Sequence, residues 1–156
     1  MIKIQFPFDP SQRVLFQNGD LIDKWASQYP QLFDAMDVQI TRNQTPYHFF
    51  EWLGAILLYE ATGYLSLIEK YESTSHKRKT NIFRKTVPEQ IYQHVMKNRS
   101  GVPDLFCYKE DYSDWFFCEV KGASDRLRPH QKEQFDVLER LSEKPISVLF
   151  FKDISS

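Results

Sequence analysis

Residues 101–131, GVPDLFCYKEDYSDWFFCEVKGASDRLRPHQ, decide the fold. Residues 104–109 and 115–121 are rich in aromatic and β-type side chains, and the polar segment 110–114 separates them. That pattern predicts a β-hairpin. Side chains alternate across a strand, so Glu119 and Lys121 share one face. Folding about residues 110–114 brings Asp104 to the same end of the sheet. A register that sets Asp104 against Lys121 also sets Cys107 against Cys118 on the opposite face, as a contact between buried thiols.

Downstream, Phe135, Leu138 and Leu141 recur at helical spacing between Pro129 and Glu143. Pro145 ends that helix, and residues 146–151 form a near-continuous apolar strand of the buried, parallel-sheet kind. Upstream, Thr45 and Pro46 read as an N-cap and first-turn proline. The helix they open runs over 47–71 and is apolar on most sides through Phe49, Phe50, Trp52, Leu53, Ile56, Leu57 and Tyr59, so it is expected to be central. Gly63 is where it breaks or bends. Leu21, Ile22, Trp25 and Tyr29 mark a shorter helix stopped by Pro30, and residues 1–19, with Pro7, Pro10 and Gly19, read as an irregular lead-in. The resulting order is helix, a basic irregular region, β, β, α, β, a small α/β domain.

The chain has 156 residues and a formal charge of −1, with 42% apolar and 15% aromatic residues, which excludes a mainly disordered protein. Two cysteines cannot make a disulfide scaffold, so a reduced, cytoplasmic setting is expected. The start, MIKIQFPFDP, lacks the apolar core of a signal peptide, and no window approaches the roughly 20 apolar residues of a membrane span. Near-neutrality hides a polar layout. Residues 72–101 hold Lys77, Arg78, Lys79, Arg84, Lys85, Lys97 and Arg99 against only Glu72 and Glu89, between acidic flanks. A positive surface for a polyanion is one reading of this run; a solvated loop is the other.

Asp104 and Glu119 together supply the oxygen ligands that Mg²⁺ prefers, with room left for water and phosphate. Such an ion neutralises charge developing on a phosphate and lowers the pKa of bound water. The Lys121 ammonium beside it can orient the attacking water or stabilise the transition state. Taken alone, a Glu-x-Lys triple is most often a surface ion pair, and Pro-Asp is most often a turn. Glu51 stands out because it sits amid apolar residues on the central helix, where a glutamate without a partner costs several kcal/mol. Gly54 and Ala55 share its face and allow a close approach to a sheet. The four histidines, His48, His76, His94 and His130, show no metal-ligand spacing.

Gly101-Val102-Pro103-Asp104-Leu105, Glu119-Val120-Lys121-Gly122, Asp125-Arg126-Leu127 and Gln131, four blocks in order, resemble the signature of the VRR-NUC domain of the PD-(D/E)XK nuclease superfamily. Two positions depart from its pattern, Ala123 for the usual proline and Arg128 for a small polar residue. The resemblance implies a restriction-endonuclease-like core, an αβββαβ-type mixed sheet flanked by helices. The match is close over about a third of the chain, looser over residues 45–100 and lacking over residues 1–40, so the expected nuclease domain is 44–156, with residues 1–43 as a partly helical N-terminal extension packed on that core. The resemblance implies a Mg²⁺-dependent DNA endonuclease, Mn²⁺ substituting, that is structure-selective in DNA repair or replication. Asp104 and Glu119 would be metal-binding acids, the Val120 carbonyl and Glu51 further ligands, Lys121 the catalytic lysine and Gln131 its support. Glu60, Glu69 and Glu72 are alternatives to Glu51. Lys77, Arg78, Lys79, Arg84, Lys85 and Arg126 are the expected DNA-binding side chains. A homodimer is one expected assembly. Two alternatives stay open, an antibacterial DNase toxin held by an immunity protein and delivered into a target-cell cytoplasm, and a non-catalytic nucleic-acid-binding module.

Overall fold

The computed structural model describes residues 1–154. One five-stranded sheet organises them, in the order β1 (Ile2–Phe8), β5 (Ser147–Asp153), β4 (Trp115–Lys121), β3 (Leu105–Tyr108), β2 (Leu65–Ile68). β1 and β4 run parallel to β5, whereas β3 is antiparallel to both β4 and β2, so the sheet is mixed. Helices α1 (Pro10–Gln17), α2 (Ile22–Gln28), α3 (Ala35–Asn43) and α4 (Phe49–Thr62) precede β2; α5 (Lys77–Thr86) and α6 (Glu89–Lys97) follow it, and α7 (Pro129–Ser142) joins β4 to β5. The α/β class is therefore as expected, and α4-β2-β3-β4-α7-β5 carries the αβββαβ frame.

Alternation along the strands builds two cores. Leu105, Cys107, Cys118, Val120 and Leu149 join Phe16, Trp25, Phe49 and Trp52 on one face. Phe106, Tyr108, Trp115 and Phe117 join Phe83, Ile91, Val95, Phe135 and Leu138 on the other. α4 lies close on the first face because Gly54 has no side chain. A Cβ there would stand 3.3 Å from Val120 Cγ2, tight packing that Gly54 and Ala55 were expected to allow. Among the described residues, no helix is long and apolar enough to cross a membrane.

Several expectations are corrected. Residues 2–8 are not irregular: Ile2, Ile4, Phe6 and Phe8 alternate as a strand, and the edge position tolerates Pro7, which cannot donate to a ladder. Pro10 opens α1, capped by the Asp9 side chain, which accepts the Ser11 N–H at 2.9 Å. The central helix begins at Phe49, two residues after Tyr47, with His48 left-handed at its N-cap instead of Thr45. Gly63, left-handed at φ 78°, ends it, and residues 65–68 leave as β2 instead of continuing to Tyr71. The basic region is two helices, α5 and α6, not an irregular stretch.

The hairpin register differs by two residues. Leu105 faces Cys118 and Cys107 faces Phe116, so the thiols are not cross-strand partners. The loop closes one residue earlier than expected, where the Lys109 N–H donates to the Asp114 carbonyl. This register sets Phe106 against Phe117, ring centroids 5.6 Å apart, inside the aromatic core. Extended by one step past Leu105, it sets Asp104 beside Glu119, not Lys121.

Candidate active site

Asp104 precedes β3, and Glu119 and Lys121 end β4, so all three meet at one end of the sheet. The Asp104 N–H donates to Glu119 Oε1 at 3.0 Å, and the Val120 N–H donates to Asp104 Oδ2 at 3.0 Å. Each carboxylate is thus aimed by the backbone of the opposite strand. Gln131, in the first turn of α7, completes the arrangement. Its amide donates to Glu119 Oε2 at 2.7 Å, and its Oε1 accepts from Lys121 Nζ at 3.1 Å and from the Arg128 N–H at 3.0 Å. Lys121 Nζ lies 3.3 Å from Glu119 Oε2. Glu119 and Lys121 are 1% and 8% exposed, so this is not a solvated surface pair.

Glu51 reaches the same place from the first turn of α4. One oxygen each of Glu51, Glu69 and Asp104 lie within 4.8 Å of one another. Burial, then the Glu69 carboxylate, with Glu119 and Asp125 adding, pushes Glu51 up to about 7. Burial and the neighbouring Glu119 push Asp104 well above the usual carboxylate range. Among the described residues Lys121 is already engaged, and His48, whose Nδ1 lies 3.7 Å from Glu69 Oε2, is pushed below the usual imidazole range by burial, so little positive charge offsets these crowded acids. A hard divalent ion fits the oxygen donors and relieves the repulsion.

Of the three alternatives to Glu51, only Glu69 enters the cluster, alongside Glu51 and not in its place. Its position depends on a turn that helix-like sequence reading cannot show. Glu69 and Lys70 both have left-handed backbones, φ 50° and 59°, which non-glycine residues adopt only when their surroundings impose it. Four contacts impose it here. The Glu69 N–H donates to the Asp104 carbonyl at 2.8 Å, and the Ser73 N–H donates to the Lys70 carbonyl at 3.0 Å. The Tyr71 hydroxyl donates to the Pro103 carbonyl at 2.5 Å, and the Lys79 ammonium holds the Ile68 carbonyl at 2.6 Å.

Lys79 therefore departs from its expected role. It is 2% exposed, and its ammonium is spent on Asp37 of α3 and on Ile68, leaving no charge for a DNA phosphate. The other basic side chains of α5 are exposed. Arg78 pairs with Asp34 at 2.9 Å, Arg84 pairs with Glu89 and covers Tyr92, and Lys85 lies over Tyr112. Lys77 is exposed at the helix start.

The site opens into a cleft of about 450 Å³ lined by Glu51, Asp104, Glu119, Val120, Lys121, Arg126 and Gln131, with Asp125 at its edge. Asp125, in the Asp125-Arg126-Leu127 block, is not among the expected site residues. Its Oδ2 accepts the Gly122 N–H at 3.1 Å and so shapes the turn after Lys121. Gly122 has no room for a side chain, since a Cβ would stand 2.7 Å from Phe50 Cε2.

The family model for the VRR-NUC domain matches residues 55–148, more than half the chain. The chain belongs to the VRR-NUC family. The VRR-NUC match spans Asp104, Glu119, Lys121 and Gln131 and stops short of Glu51. VRR-NUC domains are nuclease domains, and the mixed α/β sheet agrees with the restriction-endonuclease-like core expected of one. No curated protein matches the chain. Among solved structures it is similar to the crystal structure of paFAN1 bound to a 2-nt 5′ flap DNA with a gap, at 18% identity and a TM-score of 0.32. That likeness covers 91% of this chain and 22% of the other, so this VRR-NUC protein spans about a fifth of paFAN1's length.

Proposed function

We propose that the protein is a divalent-metal-dependent DNA endonuclease, using Mg²⁺ with Mn²⁺ as a substitute, and that it selects branched or flapped DNA in repair or replication. One observation carries the reading: in a VRR-NUC chain, Asp104 and Glu119 are locked to each other's strands while Lys121 and Gln131 close on them in a single cleft. An arrangement this interlocked has no use in a module that only binds.

Glu51, Glu69 and Asp104 would hold the ion, with Glu119 and the Val120 carbonyl as further candidate ligands. When bound, the ion supplies Lewis acidity to a phosphate oxygen and to the attacking water. Lys121 then positions that water by a hydrogen bond from its ammonium, which Gln131 and Glu119 hold in place. Gln131, fixed in the first turn of α7, keeps Glu119 from rotating out of the cleft. Arg126, exposed at the cleft, and Lys77, Arg78, Arg84 and Lys85 on α5 would meet the DNA backbone as a sequence-independent charge.

The test is cleavage of supercoiled plasmid and of matched linear, 5′-flap and four-way-junction DNA with Mg²⁺, Mn²⁺ or EDTA. Cleavage with either metal and none in EDTA is expected, with branched substrates cut faster. Cleavage that persists in EDTA, or equal rates on every substrate, rejects the corresponding part of the reading.

A further inference from the structure

The cleft does not end at Glu51. A second cavity, also of about 450 Å³, adjoins it through Glu51 and Asp125, which line both. Its other walls include Arg13, Gln44, Tyr47, His48, Phe50 and Glu69. Glu51 and Glu69 of the acidic cluster border it, whereas Asp104, Glu119, Lys121 and Gln131 line the first cleft alone. Its volume is in the range of about 300–1,000 Å³ usual for pockets that enclose a small organic ligand.

Three features of the walls point to what fits. Tyr47 is 67% exposed, the more open of the two exposed aromatic rings among the described residues, Tyr112 being the other. It stands in the short segment between α3 and α4, anchored where Gln17 Nε2 donates to the Pro46 carbonyl at 3.4 Å. The Arg13 guanidinium lies over the Phe50 ring, 4.9 Å from its centroid, so a cation is held at the wall of the cavity. His48 has a left-handed backbone, φ 77°, with its ring held by Gln44 Oε1 at 2.8 Å, which fixes the turn presenting Tyr47. An open ring to stack on, a pre-positioned cation and a path to the acids are the requirements of one unpaired nucleotide. A stacked duplex base has neither face available to such a ring.

We propose that this second cavity is a subsite for a single unstacked nucleotide of the substrate strand, its base on the Tyr47 ring and its phosphate against Arg13. The proposal rests on the nuclease reading and deepens it. Selection for unpaired DNA is made here, by stacking, and not at the acids, which see only the phosphate. Duplex DNA reaches the acids without filling this cavity and so lacks that contribution.

The experiment uses the full chain with Ca²⁺ in place of Mg²⁺, a short single-stranded oligonucleotide carrying one 2-aminopurine, and a blunt duplex of the same length. Wild type is expected to quench 2-aminopurine on binding. Tyr47→Ala should lose the quench and bind the single strand about 5- to 100-fold more weakly, the measure of one base–aromatic stack. Tyr47→Phe should keep both, and Arg13→Gln should weaken binding while keeping the quench. Affinity for blunt duplex should stay within about twofold in every variant. Both side chains are exposed, so their loss leaves the core intact. An unchanged quench and affinity in Tyr47→Ala, equal losses on duplex and single strand, or no single-strand binding by wild type each overturn the subsite. Failure of the nuclease reading is a separate result, wild type that binds and quenches yet cuts no DNA when Mg²⁺ is restored.

Discussion

Asp104 and Glu119 face each other across β3 and β4 and are bound by reciprocal contacts: the Asp104 N–H donates to Glu119 Oε1, and the N–H following Glu119 donates to Asp104 Oδ2, both at 3.0 Å. A carboxylate fixed by a backbone N–H loses little further freedom when it takes a ligand, so the site is set before any substrate arrives. Neutral amides preserve most of these acceptor contacts. Asp104→Asn and Glu119→Gln should therefore fold, with melting temperatures equal to or above wild type because charge crowding is relieved. Mg²⁺-dependent plasmid cleavage should fall by about 100-fold or more in each. Wild-type cleavage rates in both would remove these acids from the chemistry.

Lys121 tests whether the site needs a point charge or any cation. It is 8% exposed and fits between Gln131 Oε1 at 3.1 Å and Glu119 Oε2 at 3.3 Å. Arginine keeps the charge but brings a wide planar fork that this space does not fit. Lys121→Arg should cut turnover by about 100-fold, with Mn²⁺ affinity by calorimetry changed little. Undiminished turnover would make Lys121 a charge partner of Glu119 and nothing more.

Desolvation, then the neighbouring Glu69 carboxylate, pushes the half-buried Glu51 up to about 7 in the folded, metal-free protein, against an ordinary 4.5. A raised carboxyl pKa means the folded state holds the proton longer than the unfolded state. The contribution of Glu51 to stability should therefore decline as pH rises from about 4.5 to about 7 and level off above. Glu51→Gln removes that decline. It should gain on the order of 1–3 kcal/mol at pH 8 and almost nothing at pH 4, by urea unfolding in EDTA. Equal gains at both pH values would show that the charge of Glu51 is not what strains the fold.

The buried pair of Lys79 and Asp37 ties α3 to α5 and to the turn carrying Glu69. Asp37→Ala leaves a buried ammonium without its counter-charge and should cost about 3–5 kcal/mol. The double change Asp37→Leu, Lys79→Met should recover most of that loss in thermal unfolding. It also frees the Ile68 carbonyl, so Mn²⁺ affinity should stay reduced even where stability returns. Full recovery of both would confine the pair to a packing role.

Much of this protein is decided by its sequence alone. The strand Trp115–Lys121 and the helix that begins at Pro129 follow from local pattern, because a run of aromatic and β-type residues and a proline at a first helical turn leave the backbone little choice. The shared face of Glu119 and Lys121 follows from the two-residue period of a strand. The close approach of α4 to the sheet follows from Gly54. Other features are settled only by tertiary contact. β1 and β2 are edge strands whose segments carry Pro7 or continue a helical-looking run; they become strands because β5 and β3 offer them hydrogen bonds. The hairpin register is set by the aromatic core, which puts Phe106 on Phe117 and so moves Asp104 from Lys121 to Glu119. Lys79 lies in a run of basic residues that local pattern cannot sort into buried and exposed. It is buried because Asp37, 42 positions earlier, arrives from another helix to neutralise it. Glu69 joins the acids only because Lys79, Tyr71 and Asp104 together impose a left-handed turn that its own sequence disfavours.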